Sequence, residues 1–322
     1  MKAAPLRPLA WLPLTALLAA AGAADPAAPA RRLQVVATTT IVGDVVRAVG
    51  GDRIELHVLL PPGADPHAYN AAPRDLVQAA KAEVIFINGA GLEQFLKTLV
   101  ENAGDRSRIV SVSEGLRLRR LAGAEAAETG GENPGHQHAE GEADPHVWFD
   151  PGCVQTWVDH IERTLAGLDP AGAATYAANA RRYRDALREL DDWIRRQVAA
   201  VPPARRLLVT DHASFGYFAD RYGFRQAGVV LPGFSTLAEP SARDLARLED
   251  VIRRDGVRAL FVGTTANPAL AQRVAQDTGL RVVTLYTGSL GPAGGPAATY
   301  LAFMRYNVGV IVGALAEPAS KP

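Results

Sequence analysis

The sequence predicts an α/β protein of two related lobes, each a mostly parallel sheet flanked by helices, joined by one long backbone helix. Three observations carry this. Short continuous apolar runs such as Glu83-Val84-Ile85-Phe86-Ile87-Asn88 alternate with helical patterns, as strands buried on both faces of a parallel sheet do. The longest amphipathic pattern, Ala171 to Ala200, separates two such series. A faint repeat relates the two series: Pro62-Gly63 precedes Arg74-Asp75-Leu76 and then an apolar strand, and Pro232-Gly233 precedes Arg243-Asp244-Leu245 and another.

In the first lobe, Gln34 to Thr38 reads as a strand and Ile41 to Val49 as a helix stopped by Gly50-Gly51. Ile54 to Leu60 is a strand entering the Pro61-Pro62-Gly63 loop, Arg74 to Lys81 a helix, and Glu83 to Asn88 a strand. In the linking helix, Tyr176, Ala180, Tyr183, Leu187, Leu190, Ile194 and Val198 recur at spacings of three and four, forming one apolar stripe ended by Pro202-Pro203. Roughly 30 residues at ~1.5 Å each make a rod of about 45 Å, which limits how far the lobes close. In the second lobe Arg206 to Thr210, Arg258 to Gly263 and Arg281 to Leu285 read as strands, Gly228 to Gly233 as a strand and turn, and Phe215 to Arg221 as a helix. Gly91 to Leu99 and Pro292 to Met304 read as surface elements.

Lys2 and Arg7 precede an apolar run from Leu9 to Ala20 and the small residues Ala21-Gly22-Ala23, the layout of a secretory signal peptide over 1–23. A disordered mature N-terminus follows at 24–32. The N-terminal lobe is expected at 33–168, with a flexible His/Glu loop at 122–143, the linking helix at 169–201 and the C-terminal lobe at 204–318. The single cysteine, Cys153, lies deep in the chain and reads as a small residue opening a helix. The expectation is a periplasmic monomer, not a lipoprotein, with no direct membrane anchor. With 34 basic and 34 acidic residues the formal net charge is zero, so nothing points to nucleic acid or an anionic surface.

Two stretches carry the chemistry: Asp65-Pro66-His67-Ala68-Tyr69 and Asp144-Pro145-His146-Val147-Trp148. Proline restricts its own φ and the residue before it, so each histidine sits in a loop with few shapes available. An aromatic residue follows two positions on in both. Two donors held this way, far apart in sequence, predict a shared metal.

With Thr210-Asp211-His212-Ala213-Ser214-Phe215-Gly216-Tyr217-Phe218, these stretches make the chain resemble the zinc- and manganese-specific substrate-binding proteins of ABC importers, from about Leu33 to the C-terminal region. The resemblance implies the same backbone helix, a metal in the inter-lobe cleft, ligands at His67, His146 and His212, and as partners a membrane permease with its ATPase. Three neutral imidazoles suit Zn2+ as the transported ion, whereas Mn2+ prefers oxygen donors. The chain departs from the family in the late loop Leu285-Tyr286-Thr287-Gly288-Ser289-Leu290, where many relatives place an aspartate and Gly288 stands here. The fourth ligand is then water, Glu239 or Asp211. Asn70 replaces a frequent glutamate. His136 and His138 form an alternative auxiliary metal site in a short loop that otherwise reads as solvated chain. His57 and His160 read as structural or surface residues. A manganese or iron carrier of the same family is the alternative. A three-histidine zinc hydrolase or hydratase lacks a His-Glu-x-x-His helix and a nucleophile elbow, so the chain is read as no enzyme.

Overall fold

The computed structural model describes Met1 and residues 31–93, 108–120 and 143–316. The chain divides after Arg31 into two units, and the named elements all lie in the second, Arg32–Pro322. The signal peptide and the loop holding His136 and His138 fall outside the described residues.

The first lobe comprises β1 (Leu33–Ala37), α1 (Thr40–Gly50), β2 (Ile54–Val58), α2 (Pro73–Lys81), β3 (Val84–Ile87) and β4 (Ile109–Ser111). Its sheet is parallel in the order β2-β1-β3-β4, with Val35 opposite both Leu56 and Val84. Next come α3 (Pro151–Leu168) and the joining helix α4 (Ala173–Val198). The second lobe contains β5 (Leu207–Thr210), α5 (Gly216–Tyr222), β6 (Arg225–Val229), α6 (Ala242–Asp255), β7 (Ala259–Gly263), α7 (Ala269–Thr278), β8 (Arg281–Leu285) and α8 (Tyr300–Ala316). Its sheet is parallel in the order β6-β5-β7-β8, the same topology as the first.

The weak sequence repeat falls at equivalent places in the two lobes. Gly63 and Gly233 follow the second strand of each sheet and share φ +85°, a backbone region costly for residues with a Cβ. Asp75 and Asp244 occupy the third helical position of α2 and α6. Their carboxylates accept the N–H of Ala72 (2.7 Å) and of Ser241 (2.9 Å), satisfying donors that a helix start leaves unpaired.

A single apolar core runs through both lobes. Val35 and Phe86 from the first sheet, Val42 from α1, Trp157 from α3, Leu187 and Ile194 from α4, and Phe215, Phe261 and Tyr300 from the second lobe belong to it. Smaller clusters cover the far face of each sheet. The α4 stripe buries Tyr176, Ala180, Leu187, Leu190, Ile194 and Val198. Each large aliphatic buried there contributes roughly 1.5–3 kcal/mol. No helix among the described residues is long and apolar enough to cross a membrane.

Several expectations are corrected. The strand expected from Gly228 is β6 at Arg225–Val229, an edge strand that starts earlier because its first residues, Arg225 and Gln226, are too polar to read as β. The expected turn does follow, at Pro232, which has no N–H, and the left-handed Gly233. Pro292 to Met304 is a surface element only in part: Pro292, Ala293, Gly294, Pro296 and Thr299 are exposed, whereas Ala297, Tyr300, Phe303 and Met304 are buried where α8 begins. Leu92 and Glu93 are also buried, and 94–99 fall outside the described residues.

Aromatic packing joins the two lobes next to the candidate site. Phe149 stacks on Phe215 at 4.2 Å and on Phe303 at 5.7 Å. Phe149→Ala is expected to lower the unfolding free energy by about 3–5 kcal/mol, since the site is fully enclosed. Denaturant titration of the variant checks this.

Candidate metal centre

His67, His146 and His212 each place one ring nitrogen within 4.8 Å of the others, although they lie far apart in the chain. His67 hangs from the loop between β2 and α2, His146 precedes the short helical turn Val147–Phe149 that leads into α3, and His212 follows β5. Both lobes therefore contribute to the cluster. His146 is central: its Nε2 lies 3.2 Å from Nε2 of His67 and 3.2 Å from Nε2 of His212.

Local geometry follows from the aspartate before each histidine. Asp65 Oδ1 accepts the His67 N–H (3.0 Å), Asp144 Oδ1 the His146 N–H (3.0 Å) and Asp211 Oδ1 the His212 N–H (2.8 Å). The first two of these bonds close the turns that the Asp-Pro-His pattern predicts, whereas Asp211 bonds the residue directly after it. Asp144 Oδ1 also meets His146 Nδ1 at 2.9 Å, and Asp211 Oδ1 meets His212 Nδ1 at 2.9 Å. A carboxylate on Nδ1 fixes the proton there and leaves the Nε2 lone pair free. His146 and His212 are held in this way, and with the His67 ring nitrogen they bring three imidazole donors within 4.8 Å of one another, a set that attracts a cation. Two nitrogens at ~2.05 Å from a tetrahedral zinc would stand about 3.3 Å apart, close to what is seen.

The two aromatics brace the site. Tyr69 donates its hydroxyl proton to Asp75 Oδ2 (2.6 Å), pinning the His67 loop to α2. Trp148 Nε1 donates to the Thr287 carbonyl (3.0 Å) and sets its ring against His146, at 5.1 Å between centroids. The late loop is thereby tied to the His146 turn. A Cβ on Gly288 would come 2.7 Å from Cδ of Pro66, so the His67 turn rests directly on this glycine.

The carboxylates proposed as fourth donors stand elsewhere. Asp211 directs Oδ1 to His212 and Oδ2 to the Gly263 N–H (2.7 Å), so it orients a ligand and takes no place among the converging donors. Glu239 is exposed in the loop before α6 and lies outside the cluster. Cys153 lies in the first turn of α3, and burial pushes its thiol up to about 12. Asn70 and His57 are exposed and His160 is half-buried on α3.

Charge is unequally shared. Burial, reinforced by the charge of His212, pulls His67 down to about 3 and His146 well below its usual range. Burial also opposes protonation of His212, but the charge and hydrogen bond of Asp211 outweigh it and raise that imidazole above its usual value. As pH falls, His212 takes up a proton first, while the other two stay neutral well into acid. Metal binding is therefore expected to release about one proton per ion once the pH has fallen below the raised range of His212. Affinity should drop about tenfold per pH unit, not a thousandfold, once His212 is protonated. Chelator titrations at several pH values measure this slope.

Two parallel-sheet lobes joined by a rod, with ion donors converging between them, are the build of an extracytoplasmic substrate-binding protein for a metal. The chain belongs to the family described as "Zinc-uptake complex component A periplasmic", whose profile matches residues 35–314. Its members are the metal-binding components of ABC importers, working with a permease and an ATPase, and are transport proteins, not enzymes. The manganese-binding lipoprotein MntA of Halalkalibacterium halodurans is 32% identical over 286 residues, covering 88% of this chain and 89% of its own. The iron-binding protein YfeA of Yersinia pestis is 30% identical over 288 residues, covering 89% and 88%. Among solved structures, the periplasmic zinc binding protein TroA from Treponema pallidum superposes with a TM-score of 0.78 at 30% identity, covering 89% of this chain and 100% of that one.

Proposed function

We propose that this protein captures Zn2+ in the periplasm through His67, His146 and His212 and delivers it to a membrane permease with its ATPase. One observation carries the choice of ion: three imidazole nitrogens converge, and among the described residues no carboxylate oxygen joins them. Asp144 and Asp211 are turned onto Nδ1 atoms, and residue 288 is a glycine. Imidazole donors favour zinc, and the harder Mn2+ is held best by oxygen. Water completes the coordination in this reading. A second reading, Mn2+ as cargo, is favoured by the name of the Halalkalibacterium relative.

Competitive titration of the metal-stripped protein with Zn2+ and Mn2+ against a chromophoric chelator separates the two. Tight Zn2+ binding with Mn2+ weaker by more than about a hundredfold supports zinc. Comparable affinities would mean that an oxygen donor completes the site and would favour the manganese reading. The proposal includes a form free in the periplasm, whereas the relative's lipoprotein name favours an anchored one. Detergent phase partitioning of the protein from cells decides between them.

A further inference from the structure

We propose that Arg119 is a positioning residue for the metal site, acting on His146 through Asp144 and anchored on the opposite lobe by Asp220. The inference rests on the metal-binding reading above. Arg119 lies 27 residues before His146 in the chain, in the segment that precedes the long loop, yet both its backbone and its side chain reach the His146 turn. Its carbonyl accepts the Asp144 N–H at 2.9 Å. Its own N–H donates to the Tyr217 hydroxyl (3.0 Å), which donates in turn to the Asp144 carbonyl (3.1 Å). The guanidinium spans the lobes: Nη1 stands 3.3 Å from Asp144 Oδ2, and Nε 2.6 Å from Oδ2 of Asp220 on α5.

The two imidazole-bound carboxylates are supported differently. Asp211 receives a backbone N–H, from Gly263 in its own lobe, on the oxygen that His212 leaves free. Asp144 is fully buried, and its second oxygen receives the Arg119 cation. The guanidinium fixes the free oxygen of Asp144 and so holds the other oxygen against Nδ1 of His146, which aims the imidazole. Support for His212 is thus built into one sheet, whereas support for His146 depends on a side chain braced against the other lobe. The fit is close. A Cβ on Gly216, the first residue of α5, would come 1.8 Å from Arg119 Nη1 and 2.8 Å from Asp144 Oδ2.

The test is a double-mutant cycle on the full chain, read as Zn2+ affinity by chelator competition. Arg119→Ala is expected to weaken Zn2+ binding about tenfold, the range for groups that orient a ligand. In an Asp144→Asn background the same change should cost less than about twofold, and in an Asp211→Asn background the full factor. Gly216→Ala, which displaces the guanidinium, should copy the Arg119→Ala loss. Should Arg119→Ala not fold, Asp220→Asn, at a side chain 64% exposed, serves instead and should raise the Zn2+ release rate about threefold. Unchanged Zn2+ affinity in Arg119→Ala, or an equal loss in both aspartate backgrounds, overturns the proposal alone. A wild-type chain without tight Zn2+ binding overturns the parent reading together with it.

Discussion

His146→Ala is expected to abolish tight metal binding, with a loss of at least about a thousandfold, while the chain stays folded. His146 is the donor whose Nε2 lies 3.2 Å from both other imidazoles, so its removal leaves two nitrogens without the atom that bridges them. The effect should exceed that of His67→Ala, because His67 sits at the half-buried rim of the cluster and His146 at its buried centre. The fold should survive, since the neighbouring Trp148 keeps its hydrogen bond to Thr287 and Phe149 its stack on Phe215. Chelator competition beside far-ultraviolet circular dichroism checks both parts. Affinity within tenfold of wild type would place the site elsewhere.

Gly288→Asp should shift preference toward manganese. A carboxylate at this position would stand beside the His67 turn and offer the oxygen donor that the cluster lacks. Its Cβ must first push back the Pro66 ring, which an added atom would meet at 2.7 Å. Gly288→Ala supplies that displacement without the donor. We expect Gly288→Ala to weaken Zn2+ and Mn2+ about equally, by about tenfold, through movement of the His67 turn. Gly288→Asp should then raise Mn2+ affinity at least tenfold above the alanine variant. Equal Mn2+ affinities in the two variants would show that position 288 does not face the ion.

Much of this architecture was readable because its signals are local. The α4 stripe survives almost residue for residue, since a spacing of three and four can bury only one helix face. The apolar runs around Val35, Phe86 and Leu260 became inner strands, as β-rich segments without polar alternation do. The Asp-Pro-His turns were legible for the same reason, their shape being set by proline and by an aspartate two residues away. What escaped is set by distance. The three-residue β4 has no pattern long enough to register, and β6 begins with polar residues tolerated only at a sheet edge. Asp211 looked like a ligand because a carboxylate beside a histidine reads the same whether it faces the ion or the ring's other nitrogen. Side-chain rotation decides, and no sequence spacing encodes it. Arg119 and Asp220, 101 residues apart, gave no signal at all.

The core that runs unbroken through both lobes has a practical consequence. Lobes with separate cores would melt separately, and an ion held between them would leave either melting step little changed. Here disruption of either lobe exposes the same interior, so unfolding should be one cooperative event. An ion that binds only the native state then stabilises the whole molecule by mass action, about 2.7 kcal/mol at a free concentration one hundred times Kd. A calorimetric scan of this chain thus doubles as a metal assay, ranking candidate ions by how far each raises the melting temperature without any chelator or label.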